Sequence, residues 1–226
     1  MELTHLIQKY HSQAAAPKSF FISFEGIEGS GKSTQIARSE AYLLSQGFKV
    51  HRFREPGGTI FGEKLREAIL HSKAPLDPMS ECHLFLSSRA QLLTEKVLPL
   101  LNEEKTVVLL DRYIDSTLVY QGVARGLGLE KVLTLHQFSP LNILPHLTLY
   151  LQIDLKTSLE RQLARGQEKD YFESETENFY RALIQGHDDL LPLFPQRISA
   201  INAKLDVDSV EAQIKATLLS RLGIGP

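Results

Sequence analysis

Phe20-Phe21-Ile22-Ser23-Phe24-Glu25-Gly26-Ile27-Glu28-Gly29-Ser30-Gly31-Lys32-Ser33-Thr34 is the stretch that decides the fold. An apolar run breaks into G-x-x-x-x-G-K-S and then into helix-forming sequence, which is the order of a strand, a phosphate loop and a helix. Gly26, Gly29 and Gly31 let the backbone turn tightly and aim successive N–H groups inward, so the loop makes an anion cradle at the positive end of the next helix. Lys32 can then reach the outer phosphates of a bound nucleotide, and the Ser33 hydroxyl can ligate a magnesium ion bridging them.

Working outward, residues 32 to 46 predict a helix that Gly47 ends, followed by a strand from Phe48 to Phe53. That strand runs into Arg54-Glu55-Pro56-Gly57-Gly58-Thr59, a turn-rich segment at the sheet edge where ligands bind in open parallel sheets. Arg54 is therefore a candidate phosphate ligand. A helix over 60–71 comes next, and Asp77-Pro78 caps and starts a longer one reaching about Leu101. Phe85 and Arg89 lie four apart on it, and one ring and one guanidinium on a shared face suit a flat base.

Thr106 to Leu110 reads as a buried parallel strand delivering Asp111 to the carboxyl edge, where a carboxylate holds magnesium or its waters. Ser116 and Tyr120, four apart, with Gln121 beside them and Gly122 near the end, predict a helix that shows a hydroxyl, a phenol and an amide to a sugar or base. The remaining elements are a helix from Leu127 to Phe138, a strand from Leu147 to Ile153, a helix from Leu155 to Arg165, a helix over 176–191, a strand from Arg197 to Asn202 and a helix from Ser209 to Leu222. Between them, residues 165–175 are highly charged and weakly periodic, a candidate lid. The alternation predicts an α/β fold: a doubly wound sheet of five parallel strands with helices on both faces.

Composition sets the outer bounds. With 226 residues and 42% apolar content the chain can bury one sizeable core, and a net charge of −2 gives no electrostatic footprint for nucleic acid or an acidic membrane. A single cysteine, Cys82, excludes an internal disulfide framework and fits a reducing compartment. Residues 1–18 carry Leu3, Leu6, Ile7 and Tyr10 at helical spacing before the first strand, which reads as a short helix or tail, or as a helix that docks on a partner. No apolar run reaches the length of a membrane span, so the expectation is a cytoplasmic protein with one domain over 19–226.

Four blocks in this order resemble the thymidylate kinase family: F-E-G-I-E-G-S-G-K-S-T, R-E-P-G-G-T, the F-x-x-x-R pair at Phe85 and Arg89, and D-R-Y-x-x-S-x-x-x-Y-Q-G from Asp111 to Gly122. The resemblance implies phosphorylation of dTMP by ATP with Mg2+, in a homodimer. It implies that Gly26, Glu28, Gly29, Ser30, Gly31, Lys32, Ser33 and Thr34 hold ATP, with Glu28 also turned toward the monophosphate. Arg54 and Arg112 would bind the acceptor phosphate, and Asp111 would support magnesium or align Arg112. Phe85 would stack on thymine, Arg89 would bond its carbonyl, Tyr120 would close the space for a ribose 2′-hydroxyl, and Ser116 and Gln121 would line the pocket.

In one place the chain departs from the family pattern. Members with glycine after the loop acid, as at Gly29, supply an arginine from the lid in D-R-x-E, whereas this chain reads Asp170-Tyr171-Phe172-Glu173. Arg161, Arg165 and Lys169 are the nearest replacements, and Arg165, at the end of a rigid helix, is the favoured one. A nucleoside kinase, another monophosphate kinase or a homologue that binds without turnover are the alternatives.

Overall fold

The computed structural model describes residues 19–165, 171–172 and 175–225; the extension over 1–18 and most of the lid segment, Lys169 included, lie outside them. Strand β1 (Phe20–Glu25) leads through the phosphate loop into α1 (Lys32–Ser45), then β2 (Lys49–Arg54), α2 (Ile60–Leu70) and α3 (Pro78–Leu92). A π-helical turn (Leu93–Val97) and the short α4 (Leu98–Leu101) precede β3 (Thr106–Asp111). Next come α5 (Ile114–Thr117), a second π segment (Leu118–Ala124), α6 (Leu129–Leu135), β4 (Leu147–Gln152) and α7 (Leu155–Arg165). The chain ends with α8 (Glu177–Leu193), β5 (Ile198–Asn202) and α9 (Val207–Leu222).

The five strands form one parallel sheet in the order β2-β3-β1-β4-β5. The interior strands are buried along almost their whole length, so both faces of the sheet are covered; β2, at the edge, is mostly exposed or half-buried. Register aligns Arg54 with Asp111 and Asp111 with Phe24, so three carboxyl ends finish level and the loops after them share one rim. That rim is where the chain reverses its direction of travel across the sheet.

Two expected helices are interrupted. The long helix from Pro78 leaves α geometry at Leu93, six residues ahead of Pro99, whose ring displaces the carbonyl four residues earlier and which has no N–H to give. The Asp77 carboxylate caps its start as expected, accepting from the Met79 and Ser80 amides. The helix carrying Ser116 and Tyr120 widens into π geometry from Leu118, with the Arg125 amide bonding back five residues to the Tyr120 carbonyl at 2.9 Å. Helix α6 starts two residues later than expected, at Leu129, because Gly128, at φ 85°, sets its start, and it ends at Leu135.

Candidate active site

Gly26 and Gly29 hold positive φ values of 135° and 78°. A side chain at Gly26 would meet the Leu151 carbonyl at 2.7 Å, and one at Gly29 would meet the Ser158 carbonyl at 2.9 Å, so both conformation and space require glycine. Inside this loop the buried Lys32 ammonium donates to the Gly26 and Ile27 carbonyls at 3.0 and 3.2 Å. Burial, helped by the nearby Arg112 charge, pushes its pKa below the ordinary lysine value. Ser33 and Thr34, in the first turn of α1, are exposed.

Arg112 follows β3 and takes a left-handed backbone conformation, φ 69°, at a cost of about 1–3 kcal/mol for a residue other than glycine. The conformation is held by its amide, which donates to the Phe24 carbonyl at 3.0 Å, and by Nη1, which donates to the Gly26 carbonyl at 2.9 Å. Lys32 and Arg112 thus converge on one carbonyl oxygen of the loop. Nη2 pairs with Glu28 at 3.3 Å, Nη1 reaches Ser116 Oγ at 3.3 Å, and the guanidinium lies 5.2 Å from the Tyr120 ring centroid. Ser116 and Tyr120 therefore do share a face, despite the π geometry between them.

Helix α7 grips the loop through one face. Ser158 Oγ donates to the Glu28 carbonyl at 2.6 Å, Arg161 to the Gly29 carbonyl at 3.2 Å, and Arg165 to the Glu28 carboxylate at 2.8 Å. Burial works against ionising Glu28, but Lys32, Arg112 and Arg165 outweigh it and hold its carboxyl at about 2.

Beyond the loop opens a cleft of about 700 Å³, mouth included, whose walls include Phe85, Arg89, Arg112, Ser116, Tyr120 and Gln121. Arg89 is buried: Nε and Nη2 close on one Glu55 oxygen at 2.7 and 2.5 Å, Nη1 lies 2.7 Å from His136 Nε2, and the guanidinium sits 4.7 Å from the Tyr113 ring centroid. Gln121 Nε2 donates to the fully buried Glu81 at 2.7 Å. An anion cradle and an aromatic, arginine-lined cleft thus meet at Arg112, an arrangement that can hold two phosphates facing each other.

The thymidylate kinase family model matches residues 24–214. A thymidylate kinase of Thermoanaerobacter sp. is 44% identical over 197 residues, covering 87% of this chain and 96% of its own length. One from Kosmotoga olearia is 40% identical over 208 residues, 91% and 99% of the two chains. The crystal structure of thymidylate kinase from Ehrlichia chaffeensis superposes with a TM-score of 0.69 at 28% identity, covering 89% of this chain and 99% of that one. The chain belongs to the thymidylate kinase family.

Phosphorylation of dTMP is the activity that goes with this membership, and the chain is a nucleoside monophosphate kinase. Within this thymidylate kinase cleft one expected ligand is differently placed. Arg54 ends β2 level with Asp111, but its side chain is exposed, pairs with Glu63 at 3.0 Å and is not among the residues that wall the cleft. Arg66 on α2 takes up that side instead, walling the cleft while donating to the Pro56 carbonyl at 3.1 Å. Its signal in the sequence was weak, a helix arginine two turns after the Gly-Gly-Thr segment. Also unread were Glu25, Glu55 and His136, buried polar groups whose partners lie far away in sequence. Glu25 meets the Tyr113 amide at 2.7 Å and Ser116 Oγ at 2.6 Å; burial, reinforced by Asp115, raises its carboxyl to about 8.

Proposed function

We propose that the chain transfers the terminal phosphoryl of ATP to dTMP, with Lys32 and the loop amides on the donor phosphates and Arg112 between donor and acceptor. The observation that carries this reading is the double contact of Arg112, to the loop carbonyl of Gly26 and to Ser116 in the cleft. In-line transfer to an already anionic acceptor needs no general base, so the work is alignment and neutralisation of two polyanions. Arg66 and Arg112 take the acceptor phosphate, Phe85 stacks on the base, Arg89 bonds its carbonyl, and Tyr120 and Gln121 shape the sugar and base walls. Glu28 keeps its charge through neutral pH and orients Arg112 and Arg165, which faces the transferring group from α7.

Magnesium fits this site through hard oxygen donors: the exposed Ser33 hydroxyl at the start of α1 and the half-buried Asp111 at the end of β3. Among the described residues no cluster of three or more carboxylate, imidazole or thiol groups offers a full protein cage, as suits an ion held mainly by phosphate and water. Held there, the ion would neutralise charge on the nucleotide phosphates.

We further propose a single kinase domain over 19–226 with its lid at 165–175, working as a cytoplasmic homodimer. The family supports the dimer; a lone buried cysteine supports a reducing compartment, and among the described residues no helix is long and apolar enough to cross a membrane. Coupled ADP release against a panel of deoxynucleoside monophosphates tests the reading. Turnover is expected with dTMP, and its dependence on added Mg2+ separates metal-assisted transfer from binding alone. Faster turnover with a purine monophosphate or with a free nucleoside would replace it.

A further inference from the structure

Phe172 also walls the cleft, and it comes from the segment that carries the departure from the family pattern. Its ring stands edge-on to Tyr120 at 5.5 Å and tilted against Phe85 at 6.0 Å. Behind it Tyr171 packs edge-on at 5.1 Å, and the Tyr171 hydroxyl accepts from the Leu76 amide at 3.3 Å.

Arg125, just after the second π segment, holds this group without itself walling the cleft. Its guanidinium lies 4.7 Å from the Phe179 centroid, 5.5 Å from Tyr171 and 5.9 Å from Phe172. It pairs with Glu175 at 2.6 Å and with Glu81 at 3.2 Å, and Glu81 is the carboxylate that also fixes Gln121. A planar, always-charged fork can serve two carboxylates and three ring faces at once, which a lysine ammonium cannot.

We propose that Phe172 is a specificity-determining residue of the acceptor-base pocket, a ring packed against Phe85 and Tyr120, and that Arg125 is its positioning residue. The inference rests on the assignment of this cleft to the monophosphate acceptor. Phe172 narrows the pocket where it packs against Phe85 and Tyr120, so it favours a single-ring base over a purine. Arg125 ties that ring, through Glu81, to the amide of Gln121 in the same pocket.

Steady-state kinetics of Phe172→Ala, Arg125→Lys, the double variant and Phe85→Ala test this, with thermal melting to confirm that each is folded. Phe172→Ala is expected to raise KM for dTMP by about 10-fold or more, leave KM for ATP within about twofold, and reduce the preference for dTMP over dGMP by about 10-fold. Arg125→Lys should shift the same quantities in the same direction, and adding it to Phe172→Ala should change them little further, as for residues acting in one unit. A normal dTMP KM and normal purine rejection in Phe172→Ala, beside an impaired Phe85→Ala, would overturn the role of Phe172. Effects of the two substitutions that multiply, or an Arg125→Lys variant that only melts earlier, would overturn the positioning role. If Phe85→Ala is also unaffected, the acceptor is bound elsewhere and the inference falls with that assignment.

Discussion

Arg89 Nη1 lies 2.7 Å from Nε2 of His136, and because a guanidinium only donates, His136 must accept there and carry its proton on Nδ1, which donates to the Val132 carbonyl at 2.7 Å. The imidazole is therefore neutral by construction. Burial, with the Arg89 charge beside it, pushes its pKa down to about 3.

This relationship sets an acid limit on stability. A histidine held neutral in the fold contributes stability that is complete above its unfolded pKa and is lost as pH falls below it, at about 1.4 kcal/mol per unit between about 6.5 and the folded value. His136→Gln can still accept from Arg89 and carries no titrating ring. Urea unfolding at pH 7 and pH 5 should show the wild type losing about 2 kcal/mol more than the variant over that interval. Parallel losses would mean that His136 is not the group being protonated.

Local chemistry explains which parts of this site can be read from sequence. The phosphate loop, the Asp77 cap and the shared face of Phe85 and Arg89 depend on spacings of seven residues or fewer, and each formed as the spacing requires. Partners of Arg89 are separated from it by 34 residues at Glu55 and 47 at His136, so only the folded sheet rim brings them together. Arg54 and Arg66 differ for a similar reason. Both stand near the carboxyl edge, but Glu63 draws the first outward while the Pro56 carbonyl aims the second inward. No spacing in the chain announces the π segment at Leu118–Ala124, and it is what brings Arg125 within reach of Glu81 and Glu175.

Glu25 gives the opposite limit, at alkaline pH. Its folded pKa is raised by burial to about 8, so its contribution is fully present below the unfolded value of 4.5 and is lost as pH rises through 8. Glu25→Gln keeps an oxygen for the Tyr113 amide and presents an NH2 to Ser116 Oγ. The stability difference, variant minus wild type, should grow by more than about 1 kcal/mol between pH 5 and pH 9. A difference that stays flat across this range would show that Glu25 does not take up a proton on folding.

Arg66 and Arg54 separate in the kinetics of the acceptor. Loss of a charge-assisted bond costs about 1.5–3 kcal/mol, so Arg66→Ala should raise KM for dTMP by roughly 10- to 100-fold. Arg54→Ala removes an exposed ion pair with Glu63 and should leave KM within about threefold. Should the two effects be reversed, Arg54 swings into the cleft when the acceptor binds.

Lys32 tests the division between donor and acceptor. Lys32→Ala should lower kcat by about 100-fold or more, because a charge contact in the transition state is lost. Affinity for dTMP, measured by calorimetry, should change little, since the cleft residues that hold it come from other elements. An equal loss of dTMP affinity would place both nucleotides against the ammonium.

Arg165 is the residue asked to replace the absent lid arginine, and its pair with Glu28 at 2.8 Å shows that the side chain already reaches the phosphate loop from α7. Arg161 reaches it too, but it is spent on the Gly29 carbonyl, an uncharged partner in the loop backbone. Removal of Arg165 takes away one of three cations that hold Glu28 ionised and, on the proposed assignment, one charge facing the transferring phosphoryl. Arg165→Ala should therefore lower kcat by about 100-fold with little change in KM for dTMP, while Lys169→Ala stays mild. Restoring the family pattern with Tyr171→Arg should not repair the loss, because position 171 lies 5.5 Å from the Arg125 guanidinium, where a second cation is repelled. If Tyr171→Arg does restore kcat, the segment leaves Arg125 during turnover and the charge can come from either place; if Arg165→Ala keeps its rate, the cation comes from outside α7.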